Sequence, residues 1–484
     1  MDKRLLVSVF AVSTLLAICF PYAANHMFHY LAVLFKEDID VAICILSSRD
    51  HFEHRDAIRE TWLSNLRSDT ILGYSVKAWF MVGETCCTLP MEDRLDEYDC
   101  HPWNPEPRND SKDVAVFSGA SGKDPDHVVD LVASRLAVKV LHPVVLKRIG
   151  ILAGYGDSVT VTLWNGLTDE ELITVSFSEK DRGIEYHGYR YQAIQPMILP
   201  KGFECELATN QSAPNPRHAG ETGLRGAERI ATNDEGVLLV QKLNDDRTNV
   251  EESTSSISVV SIMFAVNDVD QLNTHIENRY ERQRLWQDKM AQDEEKLKEE
   301  SAIHGDVVSV GVLDVYRNLP QKLLQCHQWI SDHFNVKYVL KTDDDCFVDI
   351  QNILSSLKKI ENRTKVWWGS FRDEWLVERY GKWKERSFAS SVFSKFACGS
   401  GSVVFEDLHQ WLATNSDYLH AFEGEDVAMG IWLAAINPSY IQDSNWKCDK
   451  TCTTGLYTLP ELTPQEMRRH WRNKINCDDP CKTC

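Results

Sequence analysis

Positive charge is scarce in this chain of 484 residues, which has 52 lysines and arginines against 72 aspartates and glutamates and a formal net charge of −20. Proteins that bind nucleic acid need basic surfaces to neutralise phosphates, so this balance argues against a nucleic-acid partner. It does not exclude a nucleotide held through a metal ion, because that interaction is local. With 43% hydrophobic residues the chain can bury a large core, and its length predicts two or three domains.

The N-terminus carries an uncharged apolar run, Leu5–Phe20, preceded by Lys3-Arg4. A small-residue cleavage site is poorly formed, because Pro21 and Tyr22 crowd the end of the run. We therefore predict that residues 1–24 form a cytosolic tail and a signal-anchor helix that holds the chain in a membrane, with the remaining chain in a secretory lumen. A cleaved signal peptide is the alternative, and it places the chain in the same compartment.

A second CxxC pair, which would complete a zinc-ribbon pattern, is missing from the C-terminal cysteines. The chain has 14 cysteines. Five of them crowd the last 40 residues or so: Cys448, Cys452, Cys477, Cys481 and Cys484. In a lumen this spacing indicates disulfides that fix the tail, with zinc as the less favoured alternative.

The first segment after the N-terminal run has the pattern of a βαβ unit. Val41–Leu46 is a continuous apolar run typical of a buried parallel strand, helical spacing follows over His54–Leu63, and Val76–Val82 predicts a second strand. Residues 38–112 are therefore predicted to begin an α/β domain of the nucleotide-binding type.

The middle of the chain, residues 120–270, changes to β character punctuated by turn residues. We interpret it as a β-sandwich inserted into the α/β domain. The predicted strands are Val159–Leu163, Leu172–Phe177, Tyr189–Ile194, Val237–Gln241 and Ile257–Val266.

The α/β pattern then resumes. Residues 277–300 are highly charged and lack proline and glycine, so they predict a helix leading back to the first domain. Residues 303–484 form its second part, in which a helix, Pro320–Phe334, with proline at a first helical position, precedes an apolar strand, Val336–Leu340.

Three consecutive carboxylates, Asp343, Asp344 and Asp345, follow that strand. Adjacent carboxylates repel one another and are costly to bury without a counter-charge. A divalent cation with oxygen ligands, Mg²⁺ or Mn²⁺, would supply that charge and could hold a diphosphate. The alternative is a solvated turn or a helix N-cap.

Further motifs accompany the triplet in the second part of the domain and near the start of the chain. They are Arg55–Trp62, Lys341–Asp345, Trp367-Trp368-Gly369, Phe396–Val403 and Glu423–Gly430. Together they resemble the β-1,3-glycosyltransferases of glycosyltransferase family 31. That resemblance implies a type II membrane enzyme of the Golgi or endoplasmic reticulum with an α/β fold of the GT-A (Rossmann-like) class.

The resemblance also implies an activity. Within the family, the closing motifs are similar to members that move GalNAc from UDP-GalNAc to a β-linked GlcNAc on a glycoprotein glycan. Asp345 and Asp343 are then expected as metal ligands, with Asp343 also towards the ribose or uridine and Asp344 assisting. Mn²⁺ is the cation that the family implies, although the triplet itself permits Mg²⁺ equally. UDP-Gal as donor, or a glycan-binding protein on an inactive scaffold, are the alternatives.

A β-linkage made from an α-linked UDP-sugar requires inversion, and hence one base that deprotonates the acceptor hydroxyl. Glu425-Asp426 begins a predicted helix, Val427–Ala435, whose N-terminus favours anions. We predict Asp426 as the base, with Glu425 as second choice. The alternative is that both residues cap the helix and pair with an arginine.

Two arginines and two glycines are predicted near the bound nucleotide sugar, and for each pair a purely structural role is the alternative. Arg55 or Arg59 could approach the nucleotide, or both could form ion pairs that fix the first helix. Gly399 and Gly401 could let the backbone approach a ligand, or could serve tight turns.

Two further expectations concern aromatic and metal-binding side chains. Trp367 and Trp368 alternate along a strand, so at most one can face the acceptor. Many relatives carry a histidine after the Glu-Asp motif that completes the metal site, but residues 443–460 contain none and His470 comes late. The remaining ligands of the metal, beyond the triplet, are therefore open.

Overall fold

The computed structural model describes residues 36–67, 70–117, 135–156, 158–210, 228–229, 236–243, 258–360 and 363–484. The predicted signal-anchor, residues 1–24, lies outside the described residues. Among the helices that are described, none is both long and apolar enough to cross a membrane. The fold is mixed α/β, as predicted.

The strands are β1 (Glu37–Leu46), β2 (Thr70–Ile71), β3 (Tyr74–Cys86), β4 (Val114–Ala115), β5 (Arg135–Val140), β6 (Val144–Leu152), β7 (Ser158–Asn165), β8 (Glu171–Ser178), β9 (Ile184–Tyr186), β10 (Tyr189–Leu199), β11 (Glu204–Thr209), β12 (Glu228–Arg229), β13 (Leu238–Leu243), β14 (Val260–Val266), β15 (Val307–Asp314), β16 (Phe334–Asp343), β17 (Phe347–Val348), β18 (Val366–Arg372), β19 (Phe396–Phe405), β20 (Ser439–Gln442) and β21 (Thr458–Leu459). The α-helices are α1 (Phe52–Glu60), α2 (Val269–Glu277), α3 (Arg279–His304), α4 (Leu319–His333), α5 (Ile350–Leu357), α6 (Glu406–Asn415), α7 (Glu425–Ala434) and α8 (Pro464–Cys477).

An eight-stranded sheet forms the frame of the α/β domain, in the order β15-β3-β1-β16-β19-β18-β20, with β2 added to β3. Strands β15, β3, β1 and β16 run parallel, whereas β19 is antiparallel to both β16 and β18. The continuous apolar run in β1 is explained by burial on both faces, since residues 41–46 are all buried. The predicted βαβ start is thus confirmed, with somewhat longer strands.

Both faces of this sheet are covered by helices. Alternate residues of β1 belong to different cores: Val41 and Ile43 pack with α1, α5 and α8, whereas Ala42 and Cys44 pack with α4, α6 and α7. The period of two along each strand therefore fixes which helices lie on which face. Helix α4 begins with Pro320 in its first turn, as its sequence predicted.

The inserted segment consists of two antiparallel sheets. One has the order β4-β14-β6-β10-β9 and the other β12-β13-β5-β11-β7-β8, and their inner faces share one apolar core. Each of the five predicted strands is present. The strands β5, β6 and β11 were missed, because charged residues such as Arg135, Lys147 and Glu206 interrupt their apolar pattern.

Helices α2 and α3 lead from the β unit back to the large sheet. Helix α3 covers most of the predicted charged helix and runs on to His304, ending at Gly305, whose positive φ of 65° closes the helix. Its solvated faces explain the charge, but Leu297 and Glu300 are buried. These two residues attach the otherwise solvated helix to the rest of the domain.

Cysteines of the C-terminal region form disulfides, as predicted. Cys452 bonds Cys481, Cys477 bonds Cys484, and Cys448 bonds Cys398 at the start of β19. Two further disulfides lie elsewhere in the domain. Cys44–Cys326 joins β1 to α4, and Cys87–Cys100 lies in the first part of the domain, after β3. The tail helix α8 is thus covalently tied at its C-terminal end.

Candidate active site

A cavity of about 660 Å³ opens at the carboxyl ends of the central parallel strands. Strands β1 and β16 end together, because Leu46 is paired with Asp343 and the Asp344 N–H donates to the Leu46 carbonyl at 3.1 Å. The chain turns there, so all three aspartates of the triplet line the cavity. This is the edge at which open α/β sheets bind their ligands.

The three aspartates have different partners. Asp343 Oδ1 lies 2.9 Å from the ammonium of Lys341. Asp344 is nearly buried, and its Oδ2 accepts a hydrogen bond from Ser47 Oγ at 2.6 Å and lies 2.9 Å from His51 Nδ1. Burial acts to raise the pKa of Asp344, but the hydrogen bond and charge of His51 outweigh it, so this carboxyl is held ionised. Asp344 therefore fastens the end of β16 to the loop after β1.

Asp343 and Asp345 fit a divalent cation. Oxygen atoms of both carboxyls and the Cys346 Sγ lie within 4.8 Å of one another. Burial, with the charge of neighbouring carboxylates, raises the pKa of both Asp343 and Asp345, which shows that local counter-charge is insufficient. The Cys346 thiol is buried and its pKa is raised, so it is a poor ligand for a hard cation. The carboxylate oxygens suit Mg²⁺ or Mn²⁺.

The Glu425-Asp426 pair lies across Lys341 from the triplet. Lys341 Nζ donates to Glu425 Oε1 at 2.9 Å and to the Gly399 carbonyl at 2.7 Å, while also pairing with Asp343. This one ammonium therefore joins the two acidic groups, and their charges hold its pKa above the usual value despite burial. Glu425 is held ionised by Lys341, which lowers its pKa against the effect of burial.

Asp426 has the opposite character. Its Oδ1 accepts a hydrogen bond from the Val427 N–H at 2.8 Å, in the first turn of α7. Burial and the adjacent charge of Glu425 raise the pKa of Asp426 to about 7. A carboxyl with that pKa can both accept and release a proton near neutral pH. The N-cap of α7 is Gly424 and no side chain caps the helix, so the alternative in which Glu425 and Asp426 cap it is not supported, and Glu425 pairs with a lysine instead of an arginine.

The nucleotide role predicted for Arg55 and Arg59 is not supported by their position. Arg55 is fully buried and donates to Glu300 and to Ser47, and Arg59 pairs with Glu300 and Asp306. Neither side chain lines the cavity. The ion-pair alternative explains both arginines, which fix α1 to α3.

The two predicted glycines lie in different environments. Gly399 lines the cavity, and a Cβ there would lie 3.2 Å from Glu425 Oε1 and 3.7 Å from Asp343 Oδ2, so a side chain would intrude between the two acidic groups. Gly401 instead faces the core, where a Cβ would lie 2.9 Å from Thr458 Cγ2. The cofactor-binding role predicted for Gly401 is therefore replaced by close packing.

The tryptophan pair is buried as well. Trp367 and Trp368 are each 1% exposed, so neither faces an acceptor. His470 lies 2.8 Å through its Nδ1 from the Pro480 carbonyl, in the disulfide-bonded tail, and it is not among the residues that line the cavity. The structure thus agrees that His470 does not complete the metal site.

Several cavity residues were missed by the sequence motifs. His51 contacts Asp344, Glu461 lines the wall beside the triplet, and the exposed rings of Trp375 and Trp383 line another part of the cavity. Lys341 belongs to the same motif and lies on the same face of β16 as Asp343, but its sequence position did not predict a function for it. Nothing in the sequence around the two tryptophans marked them as neighbours of the triplet.

The sequence is similar to known transferases over nearly its whole length. A galactosyltransferase family pattern matches residues 287–444. A protein of Xenopus tropicalis named UDP-GalNAc:beta-1,3-N-acetylgalactosaminyltransferase 2 is 34% identical over 466 residues, covering 94% of this chain and 93% of that protein. The Homo sapiens protein of the same name is 33% identical over 457 residues, covering 92% of this chain and 89% of the relative.

This chain belongs to the galactosyltransferase family. It is therefore a glycosyltransferase, as its motifs predicted. A mouse beta-1,3-galactosyltransferase 6 is 29% identical over 184 residues, or 37% of this chain. That match is far shorter than those to the N-acetylgalactosaminyltransferases, which extend across the inserted β unit of this galactosyltransferase-family member.

Proposed function

We propose that the chain is an inverting, metal-dependent β-1,3-N-acetylgalactosaminyltransferase that moves GalNAc from UDP-GalNAc to a β-linked GlcNAc of a protein-bound O-mannosyl glycan or N-glycan. The observation that carries this proposal is one cavity with two acidic groups of different character. Asp343 and Asp345 offer oxygen ligands on one side, and Asp426 offers a base on the other. The names of the relatives that match over nearly the whole chain support UDP-GalNAc as the donor.

The donor side is organised by the triplet. Asp345 and Asp343 would hold the cation, which as a Lewis acid stabilises the departing diphosphate. Asp344, held by Ser47 and His51, keeps the end of β16 in place. Lys341 is the fixed cation of the site, and its contact with Asp343 sets the orientation of that carboxylate. The absence of a side chain at Gly399 leaves room beside both acidic groups.

The acceptor side is organised by Asp426. The acceptor hydroxyl attacks the anomeric carbon on the face opposite UDP. As the new C–O bond forms, the bond to UDP breaks, UDP leaves with that electron pair, and the hydroxyl proton passes to the Asp426 carboxylate. Glu425 is committed to Lys341, so it positions that lysine and is a poor candidate for the base. One base and no covalent nucleophile give inversion, hence a β-linkage from an α-linked donor.

The remaining features of the proposal concern cation, fold class and location. Mn²⁺ is the proposed cation, with Mg²⁺ an acceptable replacement on the oxygen ligands alone. The parallel sheet that ends at an acidic motif supports the GT-A class. Disulfides support a secretory compartment, and we propose Golgi or endoplasmic reticulum membrane with the catalytic domain in the lumen.

Two other functions would use the same cavity. A β-1,3-galactosyltransferase would use the same site with UDP-Gal, and only the 2-substituent of the sugar distinguishes the donors. A glycan-binding protein on an inactive scaffold would have no need for two buried carboxyls with raised pKa values, Asp426 and Asp343, in one cavity. The site chemistry favours the transferase.

The test is a transfer assay. The purified full chain is incubated with UDP-GalNAc, a β-GlcNAc acceptor and Mn²⁺, and the product is examined by linkage analysis. We expect a β-1,3-linked GalNAc product that disappears on addition of EDTA. Competition with UDP-Gal and UDP-GlcNAc measures donor choice. No product, or product formed equally in EDTA, would refute the proposal.

A further inference from the structure

One wall of the cavity is a loop between β18 and β19, which we call the cavity loop (residues 374–388). It contributes Trp375, Glu378, Lys382 and Trp383 to the lining. The two tryptophans are 43% and 62% exposed and line the same cavity. Indole faces stack well on the apolar faces of sugars. The cavity loop therefore has the chemistry of a carbohydrate-binding wall.

The other side of the cavity loop rests on the inserted β unit. The Tyr380 hydroxyl donates to Glu206 Oε2 at 2.8 Å, and the Gly381 N–H donates to Glu204 Oε2 at 3.2 Å. Both glutamates belong to β11 and are nearly inaccessible to solvent. The loop thus makes hydrogen bonds to a strand that is more than 170 residues earlier in the chain.

The fit between loop and β unit is also steric. A Cβ added to Gly166, in the turn after β7, would lie 2.7 Å from the Tyr380 ring. Gly381 adopts a positive φ of 80°, and a Cβ there would lie 2.7 Å from Leu167 Cδ2. Any side chain at either glycine would push the loop away from the β7–β8 turn. The backbone conformation of the loop is therefore matched to this surface.

The junction between the cavity loop and the β unit contains buried charged side chains. Arg135 pairs with Glu206 through its guanidinium, and both groups are nearly inaccessible. Tyr380 is also enclosed, and burial followed by the charge of Glu206 raises its pKa well above the usual value. Removing one partner of a buried ion pair is costly, so the Arg135–Glu206 pair holds Glu206 in the position that accepts from Tyr380.

The same loop reaches the catalytic helix. Glu385 Oε2 accepts from the Glu423 N–H at 2.6 Å, directly before Gly424 and the Glu425-Asp426 pair. Arg379 Nη1 donates to the Glu385 carbonyl at 2.6 Å, so the segment that carries Tyr380 is tied to Glu385. A displacement of Tyr380 would therefore be felt both by the tryptophans and by the start of α7.

We propose that the inserted β unit is a positioning element, which holds the cavity loop so that Trp375 and Trp383 form the binding wall for the carbohydrate acceptor. The inference rests on the proposed function, because it concerns the acceptor of that reaction. Tyr380, Glu204 and Glu206 act through the loop and touch no substrate themselves. Their loss is felt in acceptor affinity and not in donor affinity.

The experiment removes one hydroxyl. In Y380F the hydrogen bond to Glu206 is lost while the ring remains. Y189F is the matched control, because the Tyr189 hydroxyl is equally buried in the β unit and donates to the Ser258 carbonyl, away from the loop. We expect the KM for a β-GlcNAc acceptor to rise roughly tenfold in Y380F, as expected when a binding-competent loop conformer is less populated.

The donor readouts separate a positioning role from a structural one. For Y380F we expect an unchanged KM for UDP-GalNAc, because the donor side of the cavity does not contact the loop's hydrogen bonds to β11. Y189F should lower the melting temperature without a change in acceptor KM. The Leu167 side chain is exposed, so L167A should leave the protein folded. It should also raise the acceptor KM, because it removes the contact of Leu167 with Gly381.

The outcomes distinguish the two proposals. If the wild-type chain makes no product with any of the donors, the proposed function fails and the acceptor KM is not defined. If the wild-type chain is active but Y380F and L167A keep its acceptor KM, or if Y380F raises both KM values equally, the positioning role of the β unit is refuted.

Discussion

Two adjacent carboxyls at the start of α7 have opposite electrostatic environments. Glu425 contacts an ammonium at 2.9 Å, whereas Asp426 has no such partner among the contacts described and feels the charge of Glu425. This difference favours Asp426 over Glu425 as the proposed base, because a base must be able to hold a proton that a permanently ion-paired carboxylate cannot. A pair of acids whose environments separate their pKa values is a signature of acid–base chemistry.

Replacement of the base should stop the reaction without weakening donor binding. In D426N we expect kcat to fall about 10²–10⁴-fold, the usual contribution of a general base, with UDP affinity measured by calorimetry unchanged. D332N, at an exposed position on α4, is the control for a lost carboxylate and should keep full activity. Retention of most of the activity in D426N would rule out Asp426 as the base.

The pH profile should show the same group. The base acts when deprotonated, and the pKa of Asp426 is raised to about 7 by burial and by Glu425. The value of kcat/KM should therefore increase from pH 6 to pH 8 and fall about tenfold per pH unit well below pH 7. A profile that is flat across this range in the wild-type protein would contradict the assignment.

At the scale of elements, one buried glutamate joins α3 to α1. Glu300 accepts from Arg55 Nη2 at 2.8 Å and lies 2.6 Å from Arg59 Nη1. E300Q leaves a fully buried guanidinium without its counter-charge, and breaking such a pair costs about 3–5 kcal/mol. We expect a clearly lower melting temperature by calorimetry. E299Q, the same change at the exposed neighbour, is the control and should change it little.

The stability from Glu300 should also depend on pH. Its pKa is lowered in the folded protein, because the hydrogen bonds and charges of Arg55 and Arg59 outweigh burial. The contribution is therefore present above the ordinary pKa of glutamate and is lost as the pH falls through the lowered value. The difference in melting temperature between wild type and E300Q should shrink on acidification below about pH 4.

Elements with continuous or alternating apolar patterns were predictable from sequence. The strand β1, the helix α4 and the strand β16 follow directly from residue periodicity, and the turn after β16 locates the triplet. The strand β11 was not predictable in this way. Glu204 and Glu206 lie in it for contacts made far away in the sequence, so their charge concealed the strand.

At the scale of the whole molecule, the site combines segments whose proximity no local pattern encodes. The triplet and Glu425-Asp426 were identified by their residue types, yet their link through Lys341 joins positions 84 residues apart. The sequence left two roles open for the arginines of α1, because their partners, Glu300 and Asp306, are about 245 residues away. Motifs therefore identified the chemistry, whereas the tertiary contacts decided which charged residues serve the site.

Ligand binding should stabilise the whole chain only when both nucleotide and cation are present. A ligand at 100 times its Kd stabilises a native state by about 2.7 kcal/mol, which for a protein of this size raises the melting temperature by about 2–3 °C. We expect UDP with Mn²⁺ to give this shift in a thermal scan, and EDTA to abolish it. D345N should lose the shift while keeping the melting temperature of the free protein, since Asp345 contacts chiefly its neighbour Cys346. An equal shift in EDTA, or in D345N, would show that the triplet does not bind the nucleotide through a metal.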